Sequence, residues 1–265
     1  MKRQSSNGHG MVVVHQLKAE LASRDSRRAL MAEFLGTLLF VVFSAGTVAV
    51  TGGLLAERMT SARLLAVALA TGVAYAVFVA AAMPVSGGHL NPAVTFAAFM
   101  SKQVRAARAA MYVVAQCMGA VVGTLLLMVM IPSSLHGSLG SDMLASRVTI
   151  GGGLVTEIVL TSVLVAAVLA AGRGASPVRL AVVGLIVVLG QLVGAPLTGG
   201  SMNPARSFGP ALVSGMWSHH WLYWFGPLAG AAVSIFVYDV CFSVVAKGAR
   251  SMGEANHKPS AARSY

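Results

Sequence analysis

Ser86-Gly87-Gly88-His89-Leu90-Asn91-Pro92-Ala93-Val94-Thr95-Phe96 and Thr198-Gly199-Gly200-Ser201-Met202-Asn203-Pro204-Ala205-Arg206-Ser207-Phe208 are two copies of one motif. They share Gly-Gly, Asn-Pro-Ala and the trailing Phe, with Ser/Thr and Leu/Met exchanges between. Each copy follows a long apolar segment and has the signals of a helix start: a Gly-rich approach, Asn at the N-cap and Pro in the first turn. One Asn-Pro-Ala in 265 residues carries little information. Two copies in equivalent settings in the two halves imply an internal duplication.

Composition supplies the surroundings. Apolar residues make up 56% of the chain, charged residues 10%, and the mean hydropathy is +0.76. Soluble domains are about a quarter charged, so this is a membrane chain. The formal charge of +11 would suggest nucleic acid in a soluble protein. Here the basic residues sit in tails and loops between apolar runs, without a patch of interleaved aromatics, so nucleic acid is excluded as a partner. Cys117 and Cys241 both fall inside apolar runs, which argues against a disulfide between them.

A spanning helix needs about 20 mostly apolar residues. Six segments qualify, near 29–50, 62–83, 107–130, 151–171, 178–196 and 221–246. After the second and fifth come the motifs and short apolar stretches, 91–100 and 203–213, which read as re-entrant half-helices. Residues 1–28 read as a largely disordered cytoplasmic tail and 247–265 as a second tail, leaving a membrane-embedded domain over 29–246. Fifteen of the 19 Lys and Arg residues fall on one side when the tails, the 101–108 stretch and the 172–179 loop are placed together. They are Lys2, Arg3, Lys18, Arg24, Arg27, Arg28, Lys102, Arg105, Arg108, Arg173, Arg179, Lys247, Arg250, Lys258 and Arg263. Arg58, Arg63, Arg147 and Arg206 remain on the other, so both termini are expected in the cytoplasm.

The duplication extends to Ala32-Glu33-Phe34-Leu35 and Thr156-Glu157-Ile158-Val159, which open the two halves. Three spans per half is an odd count, so the repeats (about 29–130 and 151–246) must run in opposite orientations. The expected fold is all-α: six transmembrane helices plus two half-helices whose N-termini meet near the midplane.

Such ends leave N–H groups without partners and point two positive dipole ends at one spot. Cations and protons are disfavoured there, whereas a neutral molecule with lone pairs is accepted. The Asn91 and Asn203 amides add donors that turn a passing water away from its neighbours in file. Gly87, Gly88 and Gly199, with Gly200, allow close backbone approach and are expected to present carbonyls to the pore, with His89 lining its cytoplasmic side. The alternative for each Asn-Pro is a plain helix cap. Arg206 stands where the first motif has Val94, and an intramembrane Arg is a functional candidate; the alternative is a side chain reaching for the interface. Glu33 and Glu157 are expected to accept loop N–H groups, proton coupling being the alternative. His219 and His220 are adjacent, which is poor spacing for a metal, and the chain shows no zinc, phosphate-loop, dinucleotide or catalytic-triad pattern. Neither an enzyme nor a cofactor is expected.

At these residues the chain resembles the major intrinsic protein (aquaporin) family over about 29–246. The resemblance rests on Ala32-Glu33-Phe34, both Asn-Pro-Ala boxes (Asn91-Pro92-Ala93 and Asn203-Pro204-Ala205), Arg206-Ser207 and Trp221-Leu222-Tyr223-Trp224-Phe225-Gly226-Pro227. It implies a pore in every protomer of a homotetramer in the lipid bilayer. Counted from each Asn, the family's constriction residues fall on Thr71, Gln191, Gly200 and Arg206. Only the Arg fits the family's narrow water-specific ring, where an aromatic residue and a His would occupy the first two positions. A wider, more polar ring would admit glycerol-sized neutral solutes. Ser207, Ala211, Tyr223 and Trp224 resemble the water-channel versions. The resemblance therefore implies a passive water channel with room for small neutral solutes; a glycerol facilitator and, more distantly, an ion-coupled transporter are the alternatives.

Overall fold

The computed structural model describes residues 17–18, 20–54, 59–172 and 176–255, with side chains up to 52 in the second stretch and up to 240 in the last. Lys2, Arg3, Arg58, Arg173, Lys258 and Arg263, and the side chains of Cys241, Lys247 and Arg250, lie outside the described residues. Eight α-helices follow in order among them: α1 (Arg24–Leu54), α2 (Ser61–Ser86), α3 (Pro92–Met100), α4 (Ala106–Met130), α5 (Ile150–Ala171), α6 (Pro177–Thr198), α7 (Pro204–Ser214) and α8 (Leu222–Ala255). Six are long and apolar enough to cross a membrane. The two short ones, α3 and α7, begin at the prolines of the motifs.

Two of these elements differ from the expected bounds by more than the fraying of an end. The helix of the first span begins at Arg24, inside the expected tail. Asp25 lies in its first turn, where a carboxylate favours the helix dipole, and Glu20 and Ser26 are tied to Arg108. Arg108 donates to Glu20 Oε2 through Nε (3.0 Å) and Nη2 (2.7 Å), and Ser26 Oγ also donates to that carboxylate. Burial alone would raise the Glu20 pKa, but these bonds and the charges of Arg108 and Arg105 outweigh it and hold it below the usual range. At the other end, α8 continues past 246 to Ala255.

Close crossings of small residues set the packing. Gly119 and Gly123 of α4 lie against the α1 backbone, and a Cβ on Gly123 would sit 2.5 Å from the Leu38 carbonyl oxygen. In the second half, Gly226 and Gly230 of α8 meet α5, and a Cβ on Gly230 would sit 2.5 Å from the Ile158 oxygen. Both pairs run parallel and both use two glycines four apart, the spacing that lets helices approach closely in lipid. The half-helices cross over: α3 packs against α8, and α7 against α4. Between the halves, α2 and α6 meet where Gly72 faces Gly184 and Val188. Large apolar side chains such as Phe43, Val114, Leu189 and Phe236 are exposed on the outside, as a lipid-facing surface requires.

The segment joining the repeats, 131–149, folds over one end of this bundle. It holds a 3-10 turn at Ser133–Leu135, and Leu139 and Gly140 adopt positive φ (49° and 74°). Gly140 is pressed against the α1 backbone at Ala45, where any side chain would collide. Ser141 Oγ bonds Ser214 Oγ (3.0 Å), and the Ala145 N–H donates to the Leu197 carbonyl (2.9 Å).

Candidate pore and its constriction

Both motifs are built by the same backbone. Pro84 and Pro196 lie two residues before the ends of α2 and α6. The chain then turns through left-handed residues at matching positions: Gly87 and Gly199 (φ 94° and 89°), Gly88 and Gly200 (63° and 66°), Leu90 and Met202 (49° and 51°). Glycine accepts such angles readily. Leu90 and Met202 do not, and their placement is enforced by the carboxylates beneath them. Glu33 accepts the N–H groups of His89 (2.9 Å) and Leu90 (2.7 Å), with the Ser86 hydroxyl (2.6 Å) and Gln116 Nε2 (2.7 Å). Glu157 accepts the N–H groups of Ser201 (3.0 Å) and Met202 (2.9 Å), with the Thr198 hydroxyl (2.7 Å). Neither carboxylate is exposed.

Asn91 caps α3 by accepting the Ala93 N–H (2.8 Å); Asn203 caps α7 by accepting from Ala205 (3.1 Å) and Arg206 (3.3 Å). Each Asn also reaches into the opposite motif. Asn91 Nδ2 donates to the Met202 carbonyl and Asn203 Nδ2 to the Leu90 carbonyl, both at 2.8 Å. The half-helices therefore start face to face, with Pro92, Ala93, Pro204 and Ala205 packed behind them. Each amide spends one of its two donors on the other half, and the Asn91 side chain also lies within hydrogen-bonding reach of Tyr75.

The ladder of free carbonyls expected from the glycines is only partly present. Leu90 and Met202 accept from the asparagines, His89 from the Tyr75 hydroxyl (3.2 Å) and Gly200 from Gln191 Nε2 (2.6 Å). His89 stands beside Thr95 (Nδ1 to Oγ1, 3.1 Å), edge-on to Tyr112, and lines a vestibule of about 70 Å³ with Gly87, Gly88, Val94 and Leu180. That vestibule opens on the face where α1 begins.

On the opposite face the residues expected to form the constriction are closely packed. Thr71 on α2 and Gln191 on α6 are 2% and 1% exposed, and Arg206 on α7 is 1% exposed. Gln191, Gly200 and Arg206 come together around the second motif, and Thr71 lies next to Gly72 at the α2–α6 crossing. Since only its amide N–H can donate to Gly200, Gln191 turns Oε1 the other way. Among the described residues, three polar atoms here have no protein partner: Thr71 Oγ1, Gln191 Oε1 and Arg206 Nε. Buried polar groups of this kind are met by water or a ligand.

Arg206 is held by a residue that sequence reasoning missed. Its Nη1 donates to the Gly140 carbonyl (2.8 Å) and forms an ion pair with Asp142. The other carboxylate oxygen of Asp142 accepts the Ser207 hydroxyl (2.6 Å). A signal existed: Asp142 is the only acidic residue between Glu57 and Glu157, and a buried Arg calls for a carboxylate. His219 Nδ1 lies 3.0 Å from Ser218 Oγ, while His220 lies in an aromatic group with Phe208, Trp217 and Trp224. It accepts the Trp224 indole N–H (3.2 Å), and burial pushes its pKa below the ordinary histidine value despite the opposing charge of Asp142.

Comparison with known proteins agrees with this architecture. The sequence pattern of the major intrinsic proteins matches residues 20–238. The chain is 36% identical over 236 residues to aquaporin-4 of Mus musculus, covering 87% of this chain and 72% of that one. It is 41% identical over 234 residues to aquaporin TIP1-2 of Zea mays, covering 84% and 89%. Among solved structures, the aquaglyceroporin from Plasmodium falciparum shares the fold, with a TM-score of 0.74 at 22% identity over 83% of this chain and 98% of that one. The chain belongs to the major intrinsic protein family and is a multi-pass membrane channel for water or small solutes.

Proposed function

We propose that the chain is a passive water channel that excludes protons and ions and admits small neutral solutes as a second cargo. The reading is carried by the reciprocal Asn bonds, which bring two positive helix ends and both asparagine amides to one point. A water there accepts from both amides, so its oxygen cannot also accept from its neighbours in file, which breaks the proton wire. Both termini are cytoplasmic on this reading, so the vestibule beside His89 is the inner mouth and the 131–149 segment covers the outer one. The channel domain is residues 29–246, and the unit is a homotetramer with a pore in each protomer.

Passage of glycerol-sized solutes is favoured by one observation. The constriction assigned to Thr71, Gln191, Gly200 and Arg206 has no aromatic ring, and its unpartnered atoms include both an acceptor and a donor. A hydroxylated solute can satisfy both. Ion coupling is disfavoured because Glu33 and Glu157 are committed to loop N–H groups and Asp142 to Arg206.

Stopped-flow light scattering of proteoliposomes tests the proposal. Fast shrinkage in sucrose without accompanying proton current is expected, together with glycerol entry. Thr71→Phe with Gln191→His should abolish glycerol entry before water flux. Flux that depends on an ion gradient would overturn the channel reading, and unchanged glycerol uptake in the double variant would overturn the assigned constriction.

A further inference from the structure

The Arg206–Asp142 pair changes what the outer constriction is electrostatically. The two side chains are 2% and 1% exposed, so neither charge is screened by bulk water. The carboxylate is locked from several directions. Oδ1 pairs with Arg206, Oδ2 accepts from Ser207, and Ser207 Oγ in turn bonds Ser201 Oγ (2.5 Å) in the turn that leads to Asn203. Gly199 makes room for it, since a Cβ there would lie 2.6 Å from Oδ1. The bonds from Ser141 to Ser214 and from Ala145 to Leu197 fasten the segment on both sides of Asp142. The first motif has nothing comparable. Its matching position is Val94, and Thr95, which matches Ser207, bonds His89 and Gln116.

We propose that Asp142 is a specificity-determining residue of the outer constriction: by pairing with Arg206 it makes the ring charge-neutral. Arg206 then acts as a donor held in one orientation by Gly140 and Asp142. Exclusion of cations rests on the half-helix ends at the Asn pair, and Arg206 serves it by covering a carboxylate. This rests on the channel reading above and adds a consequence that a free Arg206 does not have. Removing Arg206 uncovers a negative charge at the outer mouth, and removing both residues restores neutrality.

The test compares wild type, Arg206→Val, Asp142→Asn and the double variant in proteoliposomes. Proton leak is followed with an entrapped pH dye under a potassium diffusion potential, and expressed relative to osmotic water permeability measured on the same vesicles. One carboxylate within about 10 Å of the path, at an effective dielectric near 20, enriches a cation by roughly tenfold or more. The leak of Arg206→Val should therefore exceed that of the double variant about tenfold, with wild type and Asp142→Asn both tight. Equal leaks in Arg206→Val and the double variant would mean that the charge of Arg206 itself excludes protons, and would overturn the proposal. A tight Arg206→Val would overturn it too. Asp142→Asn leaves a buried guanidinium uncompensated, so its assembly is checked by gel filtration. Loss of folded protein there, with recovery in the double variant, supports the charge pair; loss in both makes Asp142 merely structural. Absence of water flux in wild type would sink the channel reading itself, a result separable from all of these.

Discussion

Replacing the motif asparagines separates two roles that the structure gives them. Asn203→Ala removes a cap that accepts two N–H groups and a crossing bond of 2.8 Å to Leu90. A cap contributes about 1 kcal/mol and a buried hydrogen bond about 1 kcal/mol net, so the loss is about 2–3 kcal/mol. Asn91→Ala removes a cap on one N–H and one crossing bond, and should cost slightly less, about 2 kcal/mol. For a chain of this size each kcal/mol lowers the midpoint by about 2–4 °C, so Asn203→Ala should unfold about 5–10 °C earlier. The two crossing bonds lie in one network, and loosening either motif frees a carbonyl in the other. The double variant should therefore fall short of the summed losses by about 0.5–1.5 kcal/mol. Asn203→Asp keeps the cap acceptors but sets a carboxylate against the Leu90 carbonyl, which isolates the crossing term. Thermal unfolding at fixed scan rate, with a detergent titration on the same samples, provides the measurement. Strict additivity of the two alanine variants, or no destabilisation by either, would refute the idea that the asparagines hold the halves together.

Other perturbations probe the scaffold. Gly123→Leu would drive a side chain into the Leu38 backbone, so the yield of monodisperse protein should collapse, whereas Gly151→Ala, which has nothing within 4 Å of the new Cβ, should leave stability unchanged or raise it. Equal behaviour of the two in gel filtration would show that the α1–α4 contact tolerates expansion. The lowered Glu20 pKa makes its tie to Arg108 strongest above the ordinary carboxylate range, with the stabilisation lost as pH falls through the depressed value. Hydrogen-exchange protection factors of residues 20–28 should fall on acidification, and Glu20→Gln should reproduce that fall at neutral pH; unaltered protection in the variant would show that the ion pair does not anchor this segment.

Much of the architecture was legible because it is periodic or duplicated. Six apolar runs, two half-helices and the correspondence of Glu33 with Glu157 follow from pattern and repeat alone. What escaped is aperiodic. Asp142 reaches Arg206 from an irregular segment in which Leu139 and Gly140 adopt left-handed angles, and nothing in hydropathy marks such a path. Gln191 reads as a ring residue, yet its amide folds back on Gly200, a choice made by local hydrogen-bond geometry. The start of α1 at Arg24 depends on Arg108, a contact 88 residues away from Glu20 in sequence.

The crossing of the two asparagines also constrains how the protein is made. Asn91 finds its partner 111 residues downstream and Leu90 its donor 113 residues downstream. At a synthesis rate of about 5–20 residues per second, the first motif emerges roughly 5–20 s before the residues that complete it. During that interval its left-handed turn has Glu33 and the rest of the first repeat for company, but lacks the carbonyl that engages its amide. The nascent chain must therefore keep an unfinished, polar turn sheltered within the insertion machinery, so the second repeat acts as the closing step of biogenesis as well as half of the pore.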